Sequence, residues 1–386
     1  MKLSIKILIF AMCIAVTVCS FGSCGMFIPS DQVIQAEYSD LGIPAKENYP
    51  EGSTALYIMD MHIRNGVLYI GDGDYGENTG PTSIMAYDIE GEEWFCSGTV
   101  RDEAVRSFVE VGSLLVAPGT DPMDSWEYGN YYILGANGWG EMRTIPGGIH
   151  NFDMVEHGGA YFAALGVSAG EYPLARSIDK GKSFYNVQMW KDGKMLDTSL
   201  SYTNRCYELY CINESVYATY ISASESGSDL RYELYKYEEA DDAFVFEQSL
   251  LGKMILRDEF GKEYVKEHCV FKDRIYAATG YLVTSANMLD FNTIRFPKDE
   301  RVWDITVHEG TMYVLCSLEK ENGDYEISVW QNKSGEMMDI KKMLVFDYEI
   351  PAVSFTYDGD SFYFGMSNDS DEHSKNGTVL AVKYDK

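Results

Sequence analysis

The loop at residues 71–81 concentrates oxygen-bearing side chains on a flexible path. It reads Gly-Asp-Gly-Asp-Tyr-Gly-Glu-Asn-Thr-Gly-Pro. Carboxylate and amide oxygens are the ligands that a hard cation such as calcium takes. We therefore predict a calcium site formed by Asp72, Asp74 and Asn78, although the spacing is not that of an EF-hand. The alternative is a solvated loop rich in turn-forming residues. No other cofactor is predicted.

A second loop, at residues 118–129, has the composition of a sugar site. Trp126 and Tyr128 offer flat apolar faces beside the carboxylates of Asp121 and Asp124. Ring faces contact sugar carbons while carboxylates accept hydroxyl hydrogen bonds. The alternative is that Trp126 pins the loop onto its sheet.

Residues 150–153, His-Asn-Phe-Asp, begin a predicted strand. In the ring of β-sheets predicted below, this strand could border the central channel. A histidine beside an acid can act as a general base, or the two can form a structural hydrogen-bonded pair. Further ligand-binding candidates lie on or near such strands: Asp60, His62, Arg64, Asp72, Asp74, Asp153 and Arg205. Hydrolysis of a glycan would need two carboxylates across the channel mouth, and the eligible residues are Asp60, Asp72, Asp153, Glu267 and Asp304.

The elements that carry these residues are short β runs separated by turns. Residues 67–70 are aliphatic and aromatic and follow Asn65-Gly66, a pair that favours a tight hairpin. Two more runs, 83–87 and 94–96, flank the turn residues 88–91. The result is one four-stranded antiparallel meander, which needs copies to pack against.

Six copies of the turn-plus-strand marker follow. They start near residues 112, 159, 213, 272, 309 and 358. The spacing suits propeller blades of about 40–50 residues. We predict an all-β chain in which 51–386 form one β-propeller of four-stranded antiparallel blades, seven in number, with six or eight as alternatives. The competing folds are a long β-sandwich and a two-domain β protein. The last blade lacks a fourth strand of its own, and residues 53–57, just before the first blade, are predicted to supply it.

The N-terminus has the pattern of an export signal. Lys2 and Lys6 precede an apolar run, and small residues lead into Cys24. This predicts a signal peptide at 1–23, and residues 21–25 resemble a bacterial lipobox, which implies lipidation of Cys24. Polar, Pro-punctuated residues 24–50 predict a flexible tether. The predicted location is therefore the bacterial cell surface or periplasm, with the membrane contacted only through the lipid. Secretion without a lipid is the alternative.

Charge excludes one class of partner. The net charge is −29, with an isoelectric point near 4.5. So acidic a surface repels phosphate backbones, so no nucleic-acid binding is expected. Acidic polymers are also a poor fit unless a local basic patch or a metal ion intervenes.

Residues 177–184 fit the pattern Ser-x-Asp-x-Gly-x-(Ser/Thr)-(Trp/Phe), with Ser177, Asp179, Gly181 and Phe184 at the defining positions. The chain thus resembles Asp-box (BNR) propellers, which include sialidases. In that family the box is a fold element remote from the active site. The arginine triad and tyrosine–glutamate pair of sialidases have no clear counterpart, so no catalytic role is carried over.

Together these observations predict an exported, lipid-anchored propeller that binds a glycan or an envelope protein. One alternative is a glycan-active enzyme, a glycoside hydrolase or lyase. The other is a structural scaffold of an envelope complex.

Overall fold

The chain folds into β-strands joined by turns. The computed structural model describes residues 33–73, 80–199, 203–223, 231–250, 267–368 and 373–384. Besides strands, the described residues hold single 3-10 turns at Thr54–Leu56, Pro297–Asp299 and Met337–Asp339. None of the described segments is a helix long and apolar enough to cross a membrane. The prediction of an all-β chain is confirmed.

The strands follow one another in short antiparallel runs. In chain order they are β1 (Ile34–Gln35), β2 (Ser39–Gly42), β3 (Asp60–Arg64), β4 (Val67–Gly71), β5 (Thr82–Asp88), β6 (Glu93–Val100), β7 (Asp102–Val105), β8 (Val109–Val111), β9 (Leu114–Pro122), β10 (Tyr128–Gly135), β11 (Gly138–Pro146), β12 (His150–His157), β13 (Ala160–Gly166), β14 (Leu174–Ser177), β15 (Tyr185–Asn186), β16 (Gln188–Lys191), β17 (Lys194–Met195), β18 (Thr203–Ile212), β19 (Ser215–Ala223), β20 (Arg231–Glu238), β21 (Ala243–Ser249), β22 (Glu267–Phe271), β23 (Arg274–Ala278), β24 (Leu282–Ser285), β25 (Asn292–Ile294), β26 (Arg301–His308), β27 (Thr311–Glu319), β28 (Tyr325–Asn332), β29 (Lys341–Tyr348), β30 (Ala352–Tyr357), β31 (Ser361–Met366) and β32 (Thr378–Lys383).

Pairing within the described residues gives seven four-stranded groups, which we call meanders 1–7. They are β3–β6, β8–β11, β12–β15, β18–β21, β22–β25, β26–β29, and β30–β32 with β2. The hairpin predicted at the first meander is present, because Asn65 and Gly66 have φ of 53° and 77°. β7 pairs with β9 beside β8, so the first strand of meander 2 is interrupted at residues 106–108.

The fourth strand of meander 7 comes from the N-terminal part of the chain. β2 pairs antiparallel with β32, whereas the sequence predicts this role for residues 53–57. That prediction is wrong, because Thr54–Leu56 form a 3-10 turn capped by the Ser53 hydroxyl. β1 pairs in parallel with β29 of meander 6. Both short strands lie within the range 24–50 that the sequence assigns to a tether.

Apolar side chains fill the spaces between meanders. The largest described cluster joins meanders 6 and 7, where Phe355 and Phe362 stack with ring centroids 6.3 Å apart and Phe346 packs on Phe364 at 5.0 Å. A second cluster joins meanders 3 and 4 around Phe162 and Phe244. Burial of such large side chains supplies the main driving force for association of the meanders.

The turn at 177–184 is closed by its own side chains. The Asp179 carboxylate accepts hydrogen bonds from the Ser183 hydroxyl at 2.7 Å and the Ser183 amide at 2.9 Å, and these bonds hold the pKa of Asp179 low, at about 2. The Ser177 hydroxyl accepts the Gly181 amide at 2.9 Å. Phe184 is buried against Tyr131 of the preceding meander. The turn is thus held by hydrogen bonds between its own residues and by one buried ring.

Gly181→Ala is expected to destabilise the protein by about 2–3 kcal/mol. Gly181 has φ of +80°, and a Cβ there would lie 2.3 Å from the Tyr131 hydroxyl, which donates to the Gly181 carbonyl. The matched control is Gly193→Ala, at φ +71° with nothing within 4 Å of the added Cβ, where strain alone costs about 1 kcal/mol. Urea denaturation measures both. Equal losses would contradict a role for the Tyr131 contact.

Candidate functional site

Carboxylates occupy equivalent places on the first strands of five meanders. β12, β18, β26 and β30 each contain one β-bulge. An acid lies directly at or after three of these bulges, namely Asp153, Glu208 and Asp304, while Asp60 and Glu267 begin β3 and β22. Bulges redirect side chains, so Asp153, Glu208 and Asp304 leave the regular alternation of their strands.

Three of these carboxylates join neighbouring meanders. Asp60 Oδ2 accepts a hydrogen bond from the Phe108 amide at 2.6 Å. Asp153 Oδ2 accepts one from the Leu209 amide at 2.8 Å. Asp304 Oδ2 accepts one from the Phe355 amide at 2.8 Å. Each bond crosses from one meander to the next. The bonds fix the first strands against each other, so these acids have a structural role in addition to any chemistry.

The acids also share an electrostatic environment. Burial raises the pKa of Glu267 well above its usual range, and the carboxylates of Asp60, Asp304 and Asp153 raise it further. Burial raises the pKa of Asp153 to about 7, although the amides of Leu209 and Met154 oppose the change. Acids from meanders 1, 3 and 6 therefore lie within electrostatic reach of Glu267 in meander 5.

A mixed aromatic and ionic cluster lies at the start of β12. His150 Nδ1 is 3.1 Å from Asp121 Oδ2, and both side chains are 17% exposed. The imidazole stacks on Phe152, with centroids 5.3 Å apart and an 18° tilt. The Phe152 ring also contacts Tyr207 at 4.4 Å and the Arg106 guanidinium at 5.2 Å. Arg205 donates to the Tyr207 hydroxyl at 3.0 Å. We call these six residues the His150 cluster.

The loop at residues 123–128 places aromatic surface in solvent. Trp126 is 59% exposed and Tyr128 40%. The indole is therefore not packed on the sheet, as the pinning alternative would require. The loop is held by polar contacts instead, since Arg101 Nη2 lies 2.8 Å from Asp124 Oδ1 and Arg143 donates to the Ser125 hydroxyl at 3.2 Å. We call residues 123–128 the Trp126 loop.

The Trp126 loop and the His150 cluster are neighbours along the strands. The Asp121 amide donates to the Ile149 carbonyl at 3.1 Å, and the Gly147 amide donates to the Glu127 carbonyl at 2.9 Å. Asp121 thus connects the two features. Exposed rings, a histidine and carboxylates together can contact the faces and hydroxyl groups of a polar ring ligand.

The other predicted site residues lie elsewhere. His62 and Arg64 face Glu110 of the next meander, at 3.8 and 3.3 Å. Burial lowers the pKa of His62 against the opposing effect of Asp60 and Glu110. Asp72 is 2% exposed. Asp74, Asn78 and Cys24 lie outside the described residues, and within those residues no group of three metal-ligating side chains is found.

The residues that sequence reasoning missed are the partners of the predicted ones. Arg106, Phe152 and Tyr207 complete the His150 cluster, while Arg101 and Arg143 hold the Trp126 loop. One signal was available in the sequence. The pattern basic residue–x–aromatic–acid recurs at residues 150–153, 205–208 and 301–304, each time at the bulge of a first strand.

Comparisons with known proteins give structural likeness only. No protein-family model and no curated protein matches the chain. Similar solved structures include the β-propeller domain of the Trilobed protease from Pyrococcus furiosus (10% identity, TM-score 0.43, covering 85% of this chain and 93% of that one). Others are an α-L-arabinofuranosidase from Fusarium graminearum (12%, 0.42, 80% and 98%) and a polysaccharide lyase (8%, 0.43, 92% and 99%).

Proposed function

We propose that the chain is an exported β-propeller that binds a neutral glycan at the cell envelope, anchored by a lipid on Cys24 after removal of residues 1–23. The seven meanders would be the blades of one closed ring. Contacts between the last and first meanders support closure, because the Ser354 hydroxyl donates to the Ile58 carbonyl at 2.9 Å and the Ile58 amide donates to the Ser367 hydroxyl at 3.0 Å.

The exposed aromatic surface of the Trp126 loop carries the proposal. Trp126 is 59% exposed and Tyr128 is 40% exposed on one short loop, and large amphipathic rings of this kind are enriched where proteins contact partners. The neighbouring Asp121–His150 pair supplies hydrogen-bonding groups. Rings flanked by a few polar groups suit the alternating apolar faces and hydroxyls of a sugar.

The charge of the chain selects among glycans. With a net charge of −29, the protein repels polyanions at long range. The acids Asp121 and Asp124 lie at the proposed site itself, where Asp121 is beside His150 and Asp124 pairs with Arg101. A neutral oligosaccharide needs no charge compensation, so it fits this site better than a uronate or sulfated chain.

The test is a glycan array followed by calorimetric titration of the best neutral oligosaccharide. Trp126→Ala should weaken binding by about tenfold or more, which corresponds to about 1.4 kcal/mol. Phe95→Ala is the control, because Phe95 is another exposed aromatic residue, 40% exposed, but lies on β6. Binding that is unchanged in Trp126→Ala, or an array without any neutral hit, would refute the proposal.

A second candidate function is glycoside hydrolysis, favoured by the raised pKa values of Asp153 and Glu267. A carboxyl group that stays protonated near neutral pH can act as a general acid. Asp153 bonds the Leu209 amide of the next meander at 2.8 Å, whereas Glu267 accepts a longer bond from the amide of its own neighbour His268, at 3.2 Å. Glu267 is therefore the less constrained candidate. Glu267→Gln should abolish release of reducing sugar from the bound glycan. Undetectable hydrolysis by the wild-type protein would dismiss this candidate.

A further inference from the structure

A buried polar network lies beneath the Trp126 loop. Asp102 is fully buried, and its Oδ2 atom accepts hydrogen bonds from the Tyr132 hydroxyl at 2.5 Å and from Asn130 Nδ2 at 2.9 Å. Asn130 is 1% exposed, and its Oδ1 atom accepts a bond from Arg143 Nη1 at 3.1 Å. Both amide ends of Asn130 are thereby used, which fixes its orientation between Asp102 and Arg143.

Arg143 connects the buried network to the Trp126 loop. Its Nη2 atom donates to the Ser125 carbonyl and to the Ser125 hydroxyl, one residue before Trp126. A planar guanidinium that makes several bonds in fixed directions loses less freedom for each bond than a flexible ammonium would. Arg143 is 25% exposed at its side chain, so it spans the distance from buried Asn130 to the surface.

Arg101 provides a second connection between the buried network and the loop. The Arg101 amide donates to the Tyr132 hydroxyl at 2.8 Å, and its guanidinium pairs with Asp124 at 2.8 Å. The connections through Arg101 and Arg143 therefore both begin at the Tyr132–Asp102 pair. They end on consecutive loop residues, Asp124 and Ser125. The loop is tied at two points directly before Trp126.

We propose that Arg143, supported by Asn130 and Asp102, is the positioning residue of the Trp126 loop and fixes the indole in the orientation that a ligand contacts. This inference rests on the proposed glycan site. A loop that is ordered before binding does not lose that freedom on binding, so affinity increases. Arg143 acts through Ser125 and need not contact the ligand itself.

Amide hydrogen exchange of the full chain tests the inference without a ligand. In Arg143→Met, amides of residues 123–128 should exchange at least about tenfold faster than in the wild type, and Arg143→Lys should give an intermediate rate because an ammonium replaces only part of the bonding. Arg295→Met is the matched control. Its guanidinium stacks on Tyr281 at 4.3 Å in meander 5, and its loss should leave exchange at 123–128 unchanged.

The binding readout separates the two claims. Arg143→Met should weaken the glycan by about tenfold, with Arg143→Lys between it and the wild type. Unchanged exchange in both Arg143 variants overturns the inference whatever binds. Faster exchange with unchanged glycan affinity also overturns it, because the loop would then be held for another reason. Faster exchange in a protein that binds no glycan supports the loop-holding role and refutes the proposed function.

Discussion

Asp72→Asn is expected to stabilise the protein at pH 7 by about 2–4 kcal/mol. Asp72 is 2% exposed, its Oδ1 atom has no hydrogen-bond partner among the described residues, and burial raises its pKa to about 8. The folded protein therefore resists ionisation of this group, whereas the unfolded chain ionises it freely. An amide has the same shape and carries no charge, although its own burial offsets part of the gain.

The direction in which stability changes with pH follows from the raised pKa of Asp72. Because the folded pKa is raised, the folded state binds the proton more tightly, and the stabilising contribution is complete below the unfolded pKa of about 4. It is lost as pH rises through about 8. The advantage of Asp72→Asn should thus be absent near pH 4 and grow by about 1.4 kcal/mol for each pH unit up to about pH 8.

Urea denaturation at pH 4.5, 6 and 7.5 measures this difference. Asp192→Asn is the matched control, since Asp192 is exposed and Asn tolerates its φ of 52°; it should change little at any pH. A variant that is less stable than the wild type at pH 7.5 would contradict the prediction. If calcium then stabilises only the wild type, the predicted cation ligand role of Asp72 would explain the result.

Lys342→Met is expected to destabilise the protein by about 3–5 kcal/mol. Lys342 Nζ lies 2.7 Å from Glu300 Oε1, and Glu300 is 3% exposed. The second Glu300 oxygen accepts the Ser328 hydroxyl at 2.6 Å and Trp330 Nε1 at 3.1 Å. Burial alone would lower the pKa of Lys342, but the Glu300 and Glu326 carboxylates outweigh it and raise the pKa. Without Lys342, a buried carboxylate lacks its countercharge.

Two controls separate this effect from loss of packing. Glu300→Gln combined with Lys342→Met should recover most of the stability, because no uncompensated charge remains. Lys320→Met removes a more exposed pair in the same meander, where Lys320 lies 2.6 Å from Asp347, and should cost under about 1 kcal/mol. Thermal and urea unfolding measure all three. A loss in Lys342→Met that matches Lys320→Met would disprove the role of burial.

Local patterns made the β-structure predictable. Asn65-Gly66 forces a tight turn, and the alternating runs around it leave little choice but a hairpin. The turn at Ser177 and Asp179 was predictable for the same reason, since its bonds join residues at most four positions apart. Such features need only neighbouring residues, which the sequence displays directly.

Long-range partners were not predictable. β2 is four residues long and polar, and nothing in its composition points to β32, hundreds of residues later. The composition of residues 53–57, before meander 1, favoured a strand more than that of β2 did, but Thr54–Leu56 form a 3-10 turn. The candidate site was likewise only partly predictable. Trp126 and His150 could be selected from the sequence, whereas the roles of Arg143 and Tyr207 follow only from their contacts in the structure.

The pairing of β2 with β32 has a consequence for biosynthesis. Residues 39–42 are translated early but find their partner only after residues 378–383 have left the ribosome. Meander 7 can therefore close only after the whole segment between these two strands has been synthesised. A pairing between strands so far apart in sequence has a large loop-closure entropy, so this sheet is expected to be completed late in folding.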